Sequence, residues 1–210
     1  MAMRVNPTRM ELTRLKKRLR TATRGHKLLK DKRDEMVRRF MIYIRRDKEL
    51  REQVERKLSA AMGRFAVASA QMGPSAVAEA LLVPAREAAV KTGTQNIMSV
   101  KVPTITLVGE GKDAELPYGF AFTSSELDGA VLDLAAVLPE LIELAEVEKT
   151  CNLLANEIEK TRRRVNALEH VMIPELTETI RFITMKLEEN ERANLTRLMK
   201  VKEMMAEQEA

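Results

Sequence analysis

Between Pro7 and Ala70 the chain has no further proline, and glycine occurs only at 25 and 63. Apolar residues recur there by threes and fours: Leu12, Leu15, Leu19, Ala22, Leu29, Met36, Phe40, Tyr43, Leu50, Val54 and Ala61. A spacing that averages 3.5 residues keeps one stripe of a helix facing a partner helix, so this stretch reads as one arm of a coiled coil. Asn6-Pro7 suits the start of that helix, with Asn accepting from the first free amides and Pro at the first helical position. His26, Arg33 and Asp47 fall on the same seam and interrupt it. Val37, Ile44, Leu58 and Phe65 widen the stripe and allow contact with more than one partner.

The C-terminal third repeats the pattern. Val147, Cys151, Leu154, Ile158, Val165, Leu168 and Met172 form one run, and Leu176, Ile180, Ile183, Leu187, Leu198, Val201 and Met205 form the next. The register slips by about one residue around Pro174, as in a coiled-coil stutter. Pro174 removes a backbone hydrogen bond and crowds the preceding turn, so a kink is expected there. The two runs match in length, roughly 95–100 Å each at 1.5 Å per residue. Neither stripe would stay uncovered in water. The expected fold is therefore mainly α, a long antiparallel two-helix coiled coil with a small head.

The arms are placed at residues 1–70 and 140–210, and the head at 71–139. Gly73-Pro74 ends the first arm, Ala76 to Leu82 reads as a short helix, and Pro139 is expected to separate the head from the second arm. Ile97 to Val102 and Thr104 to Val108 carry the chain's strongest strand signal, with Pro103 between them. Gly109 to Asp113 reads as a turn and Tyr118 to Phe122 as a returning strand. Thr123 with Glu126, or Ser125 with Asp128, resembles a capping box that opens the next helix.

Composition agrees with helices and narrows the function. Hydrophobic residues make up 45% and charged residues 32%, too apolar for a disordered chain and too charged for a membrane span. The start has no apolar run of a signal peptide, and no stretch reaches the length of a membrane helix, so the reading is cytoplasmic without direct membrane insertion. Charge is unevenly spread. Residues 1–57 hold 20 Lys and Arg against 8 Asp and Glu, a net +12, whereas the whole chain is +5. The basic arm should face an acidic partner.

No constellation supports catalysis, a cofactor or a metal. Gly109-Glu110-Gly111-Lys112 lacks the four-residue gap and the Ser or Thr of a phosphate loop. His26 and His170 lie in opposite arms without a third ligand at helical spacing. Cys151 falls on the seam and reads as a small buried hydrophobe rather than a nucleophile. The basic run from Arg14 to Arg33 is compatible with a solvated face, an acidic protein surface or nucleic acid. No aromatic residue precedes Phe40, which argues against a nucleic-acid platform.

Particular strings go further. Asn6-Pro7-Thr8-Arg9-Met10-Glu11-Leu12 and Gly25-His26-Lys27-Leu28-Leu29-Lys30-Asp31-Lys32-Arg33-Asp34 open the chain in a way that resembles the D subunit of the V-type and archaeal-type ATPases. Lys160-Thr161-Arg162-Arg163-Arg164-Val165-Asn166-Ala167-Leu168-Glu169 with Ile173-Pro174 agrees in the second arm. Ile97-Met98-Ser99-Val100-Lys101-Val102-Pro103 is similar to bacterial members in the head. The resemblance implies a non-catalytic central rotor shaft, one copy per complex, peripheral to the membrane. Its arms would enter a ring of catalytic A and B subunits. Its head end would be seated, with the central-stalk F subunit, in a socket subunit on the membrane rotor ring. ATP hydrolysis or synthesis would thereby be coupled to proton or sodium transport.

On that expectation Arg18, Arg20, Arg24, Lys27, Arg162, Arg163 and Arg164 are candidate collar-facing residues. Val100, Val102, Ile105 and Leu107 are candidate partner-docking residues of the hairpin. The alternative is a nucleic-acid-binding or scaffolding coiled coil that uses the basic arm.

Overall fold

A computed structural model describes residues 6–83, 88–108, 116, 118–119, 121 and 123–208, with side chains as far as 205 in the last helix. The fold is mainly α, as the seam predicts. Its elements are α1 (Arg9–Met72), α2 (Pro74–Ala80), β1 (Ala89–Ile97), β2 (Val100–Val108), α3 (Ser125–Ala167), a π turn (Leu168–Met172) and α4 (Ile173–Gln208). The chain divides into two compact units, residues 1–35 with 159–210, and residues 36–158. Both α1 and α3 contribute to each.

In the first unit α1 begins two residues later than Asn6-Pro7 suggests. Thr8 is the cap: its Oγ1 accepts the Glu11 N–H at 3.3 Å and its carbonyl accepts the Leu12 N–H at 3.0 Å. A hydroxyl placed three residues before a glutamate satisfies the pattern of a capping box, and Asn6 instead lends its carbonyl to Thr8. Leu15, Leu176 and Ile183 are buried together, flanked by Leu12, Leu19, Ala22, Ile180 and Leu187. Arg9 pairs with Glu191, and His26 lies 3.3 Å from Glu169. Early residues of α1 thus meet late residues of α4, so the two run antiparallel. Each fully buried leucine or isoleucine contributes about 1.5–3 kcal/mol.

The slip expected near Pro174 is a π turn. The Ile173 N–H bonds to the Leu168 carbonyl, one residue further back than in an α-helix. One extra residue in the turn re-phases the seam from Leu168 and Met172 to Leu176 and Thr179. It also relaxes the helix just before the proline that cannot donate. The end of the expected seam departs from that pattern: Leu198, Val201 and Met205 are exposed. The reason is register, because α1 starts opposite Glu191 while α4 continues to Gln208.

In the second unit α1 and α3 are again antiparallel. Arg51–Glu148, Lys57–Glu140 and Arg64–Asp133 link them in reverse order along the two helices, and Arg46 pairs with Glu143 alongside. Ala68 and Leu127 are buried with Val77 of α2, beside Phe65, Met72, Tyr118 and Val131. Gly73, at φ 81, makes the break between α1 and α2 in a backbone region that glycine adopts freely.

Pro139 does not interrupt the helix, and α3 runs through it. Pro139 is exposed, and so is Ala135 four residues before it, so the carbonyl it leaves unbonded can turn to water. The N-cap of α3 is Ser124 rather than either expected box: its Oγ accepts the Leu127 N–H at 3.3 Å.

The hairpin also differs from expectation. Ala89–Ile97 pairs with Val100–Val108, and the turn is Met98-Ser99. Pro103 is therefore inside β2, opposite Thr94. With a two-residue turn, Ile97 and Val100 form a hydrogen-bonded pair, and counting outward puts Pro103 at a non-bonded site, where its missing N–H costs the ladder nothing. Tyr118, Gly119 and Ala121 are not strand; the Gly109–Asp113 turn lies outside the described residues.

Candidate functional site

Among the described residues no group of three or more His, Cys, Asp or Glu could hold a metal ion, and no helix is long and apolar enough to cross a membrane. Three surfaces stand out among the described residues.

The first surface is the basic face of α1 in the first unit. Arg18, Arg20, Arg24 and Lys27 are all exposed. At about 100° per residue, Arg20, Arg24 and Lys27 stack on one face, whereas Arg18 points to the opposite flank. Like charges four apart repel by a few tenths of a kcal/mol, a cost that an acidic neighbour would reverse. Arg162, Arg163 and Arg164 are exposed as well and fan around α3; Arg163 is tied to Glu159 one turn back.

The second surface is the overhang of α4. Beyond Glu191 the helix presents Leu195, Leu198, Met199, Val201, Met204 and Met205 to solvent, with Leu198 and Met199 each 65% exposed. Leu198, Val201 and Met205 continue the line of Leu176, Ile183 and Leu187. Periodicity alone places these residues in the seam; comparing the start of the first arm with the end of the second shows that they outrun it. Methionine adapts its shape readily, which suits a surface meeting more than one partner geometry.

The third surface is the hairpin in the second unit. Val100 and Val102 share one face of β2, and Ile105 and Leu107 the other, because successive side chains alternate. Val102 is 2% exposed and packed with Ile97 and Leu154, so it serves the fold. Ile105 and Leu107, with Pro139, Ile142, Glu143 and Glu146 of α3, line a groove. Within it Glu146 Oε2 accepts the backbone N–H of Ile105 at 2.7 Å. Nothing in the sequence signals this tie. Just past the C-terminal end of α2, Leu81, Leu82 and Val83 are exposed, Leu82 by 78%.

Among titrating groups, burial raises the Cys151 thiol above its ordinary range, helped by the negative charges of Asp47 and Glu148. That opposes thiolate formation and agrees with a packing role. Burial also raises Tyr118, whose hydroxyl donates to Asp128 Oδ1 at 2.9 Å. His26 contacts Glu169, and His170 is exposed on the π turn.

The family profile of the ATP synthase D subunit matches residues 11–203. The chain is 60% identical over 208 residues to the V-type ATP synthase D subunit of Acetivibrio thermocellus, covering 98% of this chain and 94% of that one. Proteins of the same name from Clostridium botulinum and a Thermoanaerobacter species are 58% and 54% identical, over 100% and 96% of this chain and 99% and 96% of theirs.

Proposed function

Because the chain belongs to the family of ATP synthase D subunits, we infer that it is the central-stalk rotor shaft of a V-type ATP synthase. It transmits torque between the catalytic ring and the membrane rotor, so that ATP hydrolysis or synthesis is coupled to proton or sodium transport. The shaft is a member of the complex that binds no nucleotide and performs no chemistry itself; the active sites lie in the A and B subunits. Full-length relationship to proteins of this name disfavours the nucleic-acid or scaffolding alternative.

The observation that carries the collar contact is the α4 overhang. A 17-residue stretch of helix past Glu191, about 25 Å long, whose described apolar side chains are exposed, is marginal in water unless its apolar side is covered. Insertion into the ring of A and B subunits covers it. Arg20, Arg24 and Lys27, with Arg18, Arg162, Arg163 and Arg164 on other faces, meet acidic positions of the same collar. Exposed ion pairs are worth only about 0–1 kcal/mol each, so they can be exchanged as the shaft turns. The 71–139 region forms the head end, where Ile105 and Leu107 contribute to the site for the F subunit. The exposed Leu81, Leu82 and Val83 fit a socket subunit. One copy serves each complex, peripheral to the membrane.

The test removes the overhang. A chain ending at Glu191 should keep its helices yet fail to couple a reconstituted A and B ring. Unchanged binding and unchanged coupled turnover would refute collar insertion through α4.

A further inference from the structure

The hairpin is attached unequally along its length. Its tip end is anchored: Ile97 and Val102 are buried with Leu154, and Met98, Val100, Phe40, Tyr43 and Leu153 pack around that cluster partly buried. Away from the tip, every residue of β1 from Ala89 to Asn96 is exposed, and so is Val108 at the end of β2. Over that half, the polar tie to α3 among the described residues is the Glu146 carboxylate on the Ile105 N–H. The groove lined by Ile105, Leu107, Pro139 and Ile142 stays open beneath it.

The tip is also strained. Met98 and Ser99 have φ of 52° and 73°, both in the left-handed region, and neither is glycine, asparagine or aspartate. Tight hairpin turns with both central residues at positive φ strongly favour Asn-Gly, because a side chain in that region is crowded against its own backbone. Such conformations persist only where surrounding structure over-determines them. Here the Met98 side chain packs against the buried cluster of Ile97, Val102 and Leu154. A turn sequence better suited to a free hairpin would give up that contact.

We propose that the β1–β2 hairpin is a detachable strap, held on the second unit at its tip by Ile97, Val102 and the adjoining Met98 over Leu154, and further along by Glu146 at Ile105, which releases as a paired unit and relaxes its turn. Release uncovers Leu154 together with the strap's own Ile97 and Val102, and further exposes Phe40, Tyr43 and Leu153. The device has two states because each attachment is local while the ladder between the strands is independent of both. Both attachments leave the β1–β2 hydrogen bonds untouched, so none of them must break. The inference rests on the second unit alone and does not depend on the rotor reading.

Residue-resolved amide hydrogen exchange on the full chain tests it. Ile105 reports release, since its N–H bonds to Glu146; Val102 and Thr104 report the ladder, since counting from the turn places their N–H groups toward β1. Met98→Asn keeps a residue tolerant of positive φ but removes part of the tip anchor, and should speed Ile105 exchange at least about tenfold while Val102 and Thr104 stay protected. Ser99→Gly relaxes the turn and keeps the anchor, and should slow it about threefold. Glu146→Ala should act like Met98→Asn at Ile105, and Glu146→Gln, which keeps an acceptor oxygen, should restore most of the protection. Amides of α1 and α3 serve as the folding control in every variant. The proposal is overturned if Met98→Asn slows Ile105 exchange as Ser99→Gly does, if Glu146→Ala leaves it unchanged, or if Val102 and Thr104 exchange together with Ile105.

Discussion

Arg9, in the first turn of α1, pairs with Glu191 of α4, and α4 continues from there to Gln208 with its apolar side chains in solvent. The pair marks where a shared seam becomes a single helix. Among the described residues, deleting 192–210, or Leu198→Asp with Val201→Asp, removes no buried side chain of the first unit. Thermal unfolding should therefore shift by less than about 2 °C, consistent with surface changes of up to 0.5 kcal/mol. Binding to the catalytic ring should fall. A large loss of melting temperature would show that the overhang stabilises the free chain instead.

Leu176 is buried with Leu15 and Ile183. Leu176→Ala should cost about 2–5 kcal/mol through lost burial and the cavity left behind. Denaturant unfolding of the full chain measures this directly. A cost below about 1 kcal/mol would mean that the helix pair is held elsewhere.

Asp47 is a polar interruption of the seam that weakens it. One carboxylate oxygen, Oδ1, is buried without a hydrogen-bond partner among the described residues. Desolvating such an oxygen without a partner costs about 1–3 kcal/mol. Asp47→Leu should therefore raise the midpoint of unfolding by a few degrees, at roughly 2–4 °C per kcal/mol for a chain of this size. A lowered midpoint would mean that Asp47 has a favourable role that the buried oxygen conceals.

Cys151 gives a pH prediction. Burial, then the charges of Asp47 and Glu148, raise the folded thiol above the unfolded value, which is about 8.5. The neutral thiol is favoured by folding, so its contribution is complete below the unfolded value and is lost as pH rises through the folded one. Wild type should lose stability faster than Cys151→Ala between about pH 8 and pH 10. Disulfide reagents should also label native Cys151 more slowly than the unfolded chain at about pH 7. Equal labelling rates would contradict the burial argument.

The helical seam was legible because periodicity survives without knowledge of the partner: Leu15, Met36, Val54, Leu154, Leu176 and Ile183 are all buried where it places them. The slip before Leu176 was legible too, though its cause, the π turn at Leu168–Met172, depends on backbone bonding. Prolines misled in two places for one reason. Pro139 and Pro103 occupy sites where a missing N–H disturbs little, an exposed helix face and a non-bonded ladder position, and composition cannot distinguish these from breaks. The hairpin turn was hidden because Met98-Ser99 carries no turn signal, although both residues take positive φ and Met98 packs against the buried cluster. β1 was missed because both its faces are exposed and it shows no apolar alternation. The basic residues were legible as exposed, but their grouping required the helix, which separates Arg18 from Arg20, Arg24 and Lys27.

Rotation of this chain inside a ring of catalytic A and B subunits requires that it bind the ring and change its turnover. Combining the purified chain with those subunits, and reading stoichiometry and ATP turnover in the same sample, tests both at once. The chain ending at Glu191 is measured alongside. One copy per ring is expected, with a turnover rate altered by the full chain and both effects reduced by the truncation. Failure of the folded, helical full-length chain to bind the ring, or binding that leaves turnover unchanged, would contradict the rotor role.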